Sequence, residues 1–314
     1  MDRLAILLCA MTPAMILLLY GVAKARGAWN DAVMWQMFSF GGVSAMLALL
    51  PETLLTNSIA VDTLSPVRGA AIQALFVAAI PEEAAKLLAF LYVAKRYGEG
   101  SRARDIITYA LAVALGFAAI ENLAYLVAPG EWQTVAWERA LTAVPSHGID
   151  GLAMGAFLTA AYSRRGARPL WLAMALVLPI LLHAIYDFPL MLVAKNQAMQ
   201  GVLPAWLLTS FLVTIGILAL CNKMRSAAAL ADRRAPWAPP AQPAVSPRQA
   251  AAAILLVAPL LAGFLWLLID GFAAIGAAVL GLLPIMLGID LLLTGGPPAV
   301  VNPADRPGSS HRFL

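Results

Sequence analysis

Two adjacent carboxylates and a lysine lie in the middle of a long apolar stretch of the sequence. Glu82, Glu83 and Lys86 fall within residues 67–94, a run long enough to cross a bilayer. On a helix, Lys86 can pair with one of the two carboxylates, which leaves the other without a local partner. Pro81 removes a backbone hydrogen bond just before them and frees a carbonyl one turn earlier. Because ionised groups are costly at this depth, they indicate a functional site whose partners come from other helices.

Later apolar segments supply side chains that can serve as these partners. They are Glu121, His147, His183 and Asp187, in the segments 106–128, 139–162 and 170–193. The predicted topology places all seven ionisable residues between the middle of the bilayer and its outer third. Carboxylates can act as general bases, and imidazoles can donate protons or bind a metal ion. The set therefore has the composition of an active site.

The segment that carries His147 also predicts close packing between helices. His147, Gly151 and Gly155 follow one another at intervals of four, so they share one face that a neighbouring helix can approach closely. Arg139, near the end of this segment, is interpreted as an interfacial anchor or a structural pair rather than as a catalytic residue. Asp150 is left without an assigned role.

The composition is that of an integral membrane protein. The 314 residues are 61% hydrophobic and only 12% charged, whereas soluble domains carry about 25% charge. The net charge of +4 does not indicate a nucleic-acid partner, because the basic residues fall in short loops between apolar runs. Cys9 and Cys221 lie far apart in apolar segments, and we interpret them as small hydrophobic residues rather than as a disulfide.

The sequence predicts an all-α, polytopic bundle of about nine transmembrane helices. The predicted spans are 4–23, 32–50, 67–94, 106–128, 139–162, 170–193, 203–222, 251–269 and 272–294. Sixteen of the 21 Lys and Arg residues fall in the loops on one side, which places the N-terminus outside and the C-terminus in the cytoplasm. We interpret the first span as a retained anchor rather than as a cleaved signal peptide.

Composition also divides the chain into regions. Residues 1–225 are predicted to form the transmembrane core, with the chemical residues on the helices between 67 and 193. Residues 226–250 are rich in Pro, Ala and Arg and predict a flexible cytoplasmic linker. Residues 251–294 predict an additional transmembrane hairpin, and residues 295–314 a polar cytoplasmic tail.

Four short motifs occur in order on consecutive apolar segments between about residues 67 and 190. They are Glu82-Glu83-x-x-Lys86, Phe117-x-x-x-Glu121-Asn122, His147 before a glycine-rich stretch, and His183-x-x-Tyr186-Asp187. Together they resemble the motifs of the PrsW family of intramembrane proteases. That family is similar in turn to the CAAX prenyl proteases and bacteriocin-processing proteins. In the prenyl proteases, the basic residue of the first motif is an arginine, one position further along the chain than Lys86. A histidine of those proteins corresponds to Glu121 in this sequence.

The resemblance implies an intramembrane endopeptidase of the bacterial cytoplasmic membrane. Its expected substrate is a membrane-anchored protein such as an anti-sigma factor, and its expected environment is the lipid bilayer. The resemblance does not predict an oligomeric state. Glu82 or Glu83 would take a proton from the attacking water, with Lys86 setting the charge around them. His183, oriented by Asp187, would stabilise the oxyanion or protonate the leaving amine.

A metal-assisted variant of this mechanism is equally compatible with the sequence. In the metal-free version of the mechanism, His147 and Glu121 would position the water or complete the acid/base set. In the metal-assisted version, His147, His183, Glu83 and Glu121 would hold a divalent ion such as zinc. An HExxH motif is absent from the sequence, and spacing alone does not choose between the two versions.

Two other functional classes use similar residues. A proton- or cation-coupled transporter also needs intramembrane carboxylates, although the sequence shows no inverted repeat with matching broken helices. A non-catalytic scaffold that binds partner helices would use the same groups as buried structural pairs. The joint occurrence of the motifs favours the protease over both alternatives.

Overall fold

The structure is a computed structural model that describes residues 2–25, 31–97, 103–163 and 168–202. All regular structure in these ranges is helical, as predicted. The helices are α1 (Asp2–Ala25), α2 (Asp31–Ser58), α3 (Pro66–Ile72), α4 (Ile80–Tyr97), α5 (Ala103–Val127), α6 (Trp132–Leu141), α7 (Ala143–Ser163) and α8 (Arg168–Lys195). Short 3₁₀ turns cover Val61–Thr63 and Gln197–Val202. The predicted spans beyond residue 202, the linker, the hairpin, the tail, the count of nine helices and the orientation of the termini lie outside the described residues.

Four of these helices are long and apolar enough to cross a membrane. They provide the candidate spans Arg3–Ala23, Ala32–Ser58, Asp105–Val127 and Arg168–Lys195, which correspond to α1, α2, α5 and α8. The continuous helical segment from Pro66 to Tyr97 is comparable in length but carries the charged residues that the other helices enclose. The second span is longer than predicted, because α2 continues through Pro51 to Ser58 instead of ending at residue 50.

A π-helical turn precedes the adjacent carboxylates. It covers Gln73–Ala79 and joins α3 to α4, and the N–H of Ile80 donates to the carbonyl of Leu75, five residues earlier. The next residue, Pro81, has no N–H to donate, so the regular α-helical ladder is interrupted at this point in any case. Such π turns occur frequently at functional sites. This turn therefore sets the rotation at which α4 presents its first charged residues.

The predicted span 139–162 is wrong in one respect, because two helices replace one. Thr142 has φ −124° and ψ −67°, which ends α6, and α7 begins at the next residue. Pro145 suits the first turn of α7, where a backbone N–H has no helical acceptor. Arg139 consequently lies in the last turn of the short helix α6 rather than at the start of the membrane helix.

Helix α5 is the centre of the bundle and packs against α1, α2 and α7. It approaches α2 closely through a pair of glycines. A Cβ on Gly41 would overlap the backbone carbonyl of Val113, and a Cβ on Gly116 would overlap the backbone of Phe38. Glycine at both positions therefore allows backbone contact between the two helices.

The predicted close approach along α7 is confirmed. A Cβ on Gly151 would meet Ala114 and the carbonyl of Ala110, and a Cβ on Gly155 would meet the backbone of Ile107. These contacts pack α7 against α5 over successive helical turns. His147, one turn before Gly151, is consequently held beside the residues that α5 supplies to the same cluster.

Candidate active site

The buried ammonium of Lys86 joins α4 to the rest of the cluster. Its Nζ lies 2.6 Å from Glu83 Oε1 and 3.6 Å from Glu82 Oε2, as the helical spacing predicts. It also lies 2.9 Å from Nδ1 of His147 on α7. The ring of Phe117 on α5 covers it, with Nζ 4.1 Å from the ring centroid. Lys86 is only 1% exposed, so protein groups alone surround this charge.

The other nitrogen of the His147 ring is bound to α5. His147 Nε2 lies 2.7 Å from Glu121 Oε2. Because Lys86 can only donate to Nδ1, the ring proton lies on Nε2 and is donated to Glu121. His147 is thus held between a cation on one side and a carboxylate on the other. Its orientation is fixed by both contacts.

Helix α6 contributes Arg139, which sequence reasoning treated as an anchor or structural pair. Its guanidinium donates to Glu121 Oε2 and to Asn122 Oδ1, both at 2.7 Å. It also lies over the ring of Tyr125, 3.9 Å from the centroid. The structural pair is confirmed, and it is formed with two residues of the Phe117-x-x-x-Glu121-Asn122 motif. Arg139 therefore fixes the carboxylate that orients His147.

The second histidine comes from α8 and bonds back to α4. His183 Nδ1 lies 2.9 Å from Glu83 Oε1, and its Nε2 lies 3.2 Å from Asp187 Oδ2, one helical turn further along α8. Nε2 is also 3.8 Å from Glu82 Oε2. The rings of His183 and His147 meet edge to face, with centroids 5.2 Å apart. The structure thus joins all seven predicted residues in one contact network that spans α4, α5, α7 and α8.

Asp150 is a member of the cluster that sequence reasoning left without a role. It lies three residues after His147 on the same face of α7 and is 1% exposed. Within the described part of the chain, neither of its carboxylate oxygens has a hydrogen-bond partner. One donor atom from each of Asp150, Glu83, His147 and His183 lies within 4.8 Å of every other. The spacing from His147 was the sequence signal that could have assigned it.

Glu52 on α2 is a carboxylate that sequence reasoning did not consider. It follows Pro51 inside an apolar helix, as Glu82 follows Pro81. It is partly buried and lies within coulombic range of Lys86 and Glu121. The predicted second span ended at residue 50, which placed Glu52 in a loop and hid the signal.

Carboxylates outnumber cations in the cluster. Of the described residues, five acidic side chains (Glu82, Glu83, Glu121, Asp150 and Asp187) stand against Lys86 and Arg139, with the two histidines between them. One oxygen of Glu82, one of Glu83 and both of Asp150 are buried without a hydrogen-bond partner in the described part of the chain. Unpartnered carboxylate oxygens are costly inside a protein. The site is therefore arranged to receive a cation, protons or a polar substrate group.

A helical membrane bundle that buries carboxylates, imidazoles and an ammonium in one network has the composition of a membrane-embedded active site. Comparison with known sequences identifies which one. Residues 30–220 match the PrsW family intramembrane metalloproteases, and this range contains the whole cluster. The chain belongs to the PrsW family and is an integral membrane protease.

Several proteins named Protease PrsW are similar to this chain. The protein from Oceanobacillus iheyensis is 30% identical over 223 residues, which cover 71% of this chain and 96% of that protein. The protein from Halalkalibacterium halodurans is also 30% identical over 223 residues, covering 70% of this chain and 98% of its own. The protein from Bacillus subtilis is 45% identical over 85 residues, 27% of this chain. No solved structure matches at a comparable level.

These relationships confirm the resemblance seen in the four motifs. They favour the protease over the transporter and the scaffold, because the similarity extends over most of the chain and includes every helix of the cluster.

Proposed function

We propose that this protease hydrolyses peptide bonds of membrane-anchored proteins with water activated at the buried cluster. The observation that carries the proposal is the contact network itself, in which Lys86, Glu83, His147 and His183 bond to one another across three helices. Groups of this kind can exchange protons with a substrate only where the fold holds them in register.

Glu82 is the proposed general base. Oε2 of each glutamate is buried without a hydrogen-bond partner among the described residues, but Glu83 is already bonded through Oε1 to both Lys86 and His183. Glu82 Oε2 lies further from both groups, 3.6 Å from Lys86 Nζ and 3.8 Å from His183 Nε2, so Glu82 is the less engaged carboxylate. A free carboxylate oxygen can accept a proton from water without first breaking another bond. Glu82 therefore takes the proton as the water oxygen attacks the scissile carbonyl carbon.

The imidazole of His183 is the proposed acid for the leaving group. Asp187 faces its Nε2 at 3.2 Å, and Glu82 Oε2 lies 3.8 Å from the same nitrogen. A proton taken up by Glu82 can reach this nitrogen over a short path. When the carbon–nitrogen bond breaks, the departing amine takes that proton, and the two products are a carboxylate and an amine. The ammonium of Lys86 stabilises the negative charge that develops on the carbonyl oxygen.

The donor set fits a metal ion of the kind that the family description implies. Glu83, His147 and His183 supply nitrogen and oxygen donors that are buried together, and partnerless carboxylate oxygens lie beside them. Zinc is commonly bound by three such ligands at hydrolytic sites. A bound divalent ion would act there as a Lewis acid on the scissile carbonyl. The role of the surrounding residues is to hold these donor atoms in place and to exclude lipid from them.

The proposed substrate is a protein with a single membrane anchor, such as an anti-sigma factor, in the bacterial cytoplasmic membrane. The cluster is enclosed by helices that include four candidate membrane spans, so a substrate reaches it from within the membrane rather than from bulk water. All the relatives named above come from bacteria and are named proteases.

The test is cleavage of a panel of single-span reporter proteins by the purified chain in detergent. Wild type is compared with Glu83→Ala and His183→Ala, and with Glu138→Ala as a control for an exposed carboxylate on α6. Each is measured with and without a chelator, alongside metal analysis. We expect cleavage by wild type and the control, and none by the two cluster variants. Cleavage at the wild-type rate by both cluster variants would contradict the proposal.

A further inference from the structure

Asp150 is the buried group that the hydrolytic scheme above does not use. Its side chain is enclosed, and both of its oxygens lack hydrogen-bond partners among the described residues. A buried carboxylate without hydrogen-bond partners is unfavourable, because it has lost its hydration and gained nothing in exchange. Within the described part of the chain, no group supplies a hydrogen bond to Asp150, so its carboxylate is available to bind an ion.

The two histidines show where that partner would bind. Each ring presents Nε2 to a carboxylate, His147 to Glu121 at 2.7 Å and His183 to Asp187 at 3.2 Å. A carboxylate on one ring nitrogen is the arrangement that orients metal-binding histidines and leaves the other nitrogen for the ion. The Nδ1 atoms of both rings consequently face the interior of the cluster.

The remaining donors converge on the same interior. His183 Nδ1 lies 2.9 Å from Glu83 Oε1, and His147 Nδ1 lies 2.9 Å from Lys86 Nζ, which is itself 2.6 Å from Glu83 Oε1. One carboxylate oxygen of Asp150 lies within 4.8 Å of a donor atom from each of Glu83, His147 and His183. A cation, the ammonium of Lys86, already contacts two of these donors. An entering divalent ion would take its place at His147 Nδ1.

We infer that Asp150 is the fourth protein ligand of a divalent metal ion, together with Glu83, His147 and His183, and that Glu121 orients His147 instead of binding the ion. The inference rests on the hydrolytic function proposed above but concerns the metal rather than the reaction. Two nitrogen and two oxygen donors are of the types that zinc prefers, and water or substrate would then bind as a fifth ligand, a coordination number that zinc can adopt at hydrolytic sites. This assignment differs from the sequence-based set, in which Glu121 was the second carboxylate.

A second set of donors lies on the other side of His147 and gives the competing assignment. Glu82, Glu121 and His147 also bring one atom each within 4.8 Å of one another. Glu121 Oε2, however, already accepts hydrogen bonds from Arg139 and from His147 Nε2. Binding an ion there would disturb both contacts. An ion at the set with Asp150 would displace Lys86 from His147 Nδ1 and Glu83 Oε1, but that set includes two carboxylate oxygens of Asp150 that have no hydrogen-bond partner among the described residues. The structure therefore favours the set with Asp150.

The test measures metal binding by the full chain in detergent, with Zn²⁺ competed against a chelating indicator and Co²⁺ followed by its visible absorption. For wild type we expect one tightly bound ion. Asp150→Asn keeps the shape of the side chain but should weaken binding more than about 100-fold. Glu121→Gln removes only an orienting partner and should weaken it about 10- to 100-fold. Asp62→Asn, at an exposed carboxylate paired with Lys195, should bind as wild type does.

A second variant keeps the test decisive if Asp150→Asn folds poorly. Asp150→Cys places a thiolate donor at the same position, so bound Co²⁺ should show a sulfur-to-cobalt charge-transfer band in the near ultraviolet that wild type lacks. The inference is overturned if Asp150→Asn binds Zn²⁺ as tightly as wild type and Asp150→Cys shows no such band. It is also overturned if wild type binds neither ion. Cleavage by metal-free wild type would then leave the proposed hydrolytic function standing.

Discussion

His183 Nδ1 lies 2.9 Å from Glu83 Oε1, although 100 positions of sequence separate the two residues. The contact closes α8 onto the first turn of α4, directly after the π turn that precedes Pro81. Both residues are almost completely buried, so the contact forms only when the bundle is assembled. The site is therefore complete only after the helices of the membrane domain have packed together.

Substitutions of the two adjacent glutamates should have different effects on cleavage and on Zn²⁺ binding. Glu82→Gln removes the proposed base and should lower the cleavage rate about 10²- to 10⁴-fold while leaving Zn²⁺ binding unchanged. Glu83→Gln removes a contact to both Lys86 and His183 and should lower cleavage and Zn²⁺ binding together. Cleavage rates and metal content, measured on the same preparations, separate the two roles. Equal effects of the two variants on metal content would contradict this division.

Removal of the buried ammonium should destabilise the protein. Lys86→Met leaves Glu82 and Glu83 without their cation, and breaking one side of a buried ion pair costs about 3–5 kcal/mol. The double variant Lys86→Met/Glu83→Gln removes one of the stranded carboxylates and should recover part of that loss. Thermal unfolding in detergent measures both. A double variant less stable than Lys86→Met alone would count against the pairing.

Arg139 should matter for activity although it lies outside the four motifs. Arg139→Gln releases Glu121 and Asn122, which frees the carboxylate that orients His147, and should lower cleavage about 10-fold or more. Arg139→Lys keeps the charge and should retain part of the rate. The adjacent exposed Glu138→Gln on α6 is the control and should cleave as wild type does. An unchanged rate for Arg139→Gln would show that Glu121 is positioned without it.

Packing between α2 and α5 should be sensitive to a single methyl group. Gly116→Ala places a Cβ against the backbone of Phe38, and the resulting steric overlap can be relieved only if α2 or α5 moves. We expect a loss of about 1–3 kcal/mol. Gly201→Ala, at a position where no atom of the described residues lies within 4 Å, is the control and should leave the unfolding temperature unchanged. Equal stability of the two variants would contradict the backbone contact.

The sequence was sufficient for the helices and for most of the cluster because both depend on local patterns. Apolar runs of membrane length predicted the helices that carry the site, and charged residues inside them are rare enough to be conspicuous. The helical spacings from Glu83 to Lys86 and from His183 to Asp187 predicted the two contacts that the structure confirms. The glycines of α7 predicted which of its faces approaches another helix.

The features of the site that the sequence did not predict depend on contacts between helices. Nothing in the spacing of Arg139 shows that α6 places it on Glu121, because the helix breaks at Thr142, a polar residue that could equally continue a helix. The role of Asp150 depends on what it lacks, and the absence of a hydrogen-bond partner is visible only in three dimensions. Glu52 was missed because the span was ended at a proline that α2 passes through.

The most direct test of the account is cleavage of one single-span reporter in water enriched in ¹⁸O, followed by mass spectrometry of the fragments. Purified wild type should yield two fragments with one ¹⁸O atom in the new C-terminal carboxylate, because water supplies that oxygen. Glu82→Gln and His183→Ala should yield labelled fragments at least about 100-fold more slowly, and Glu138→Gln should match wild type. Labelled fragments formed by both cluster variants at the wild-type rate would contradict the claim that this cluster hydrolyses the peptide bond.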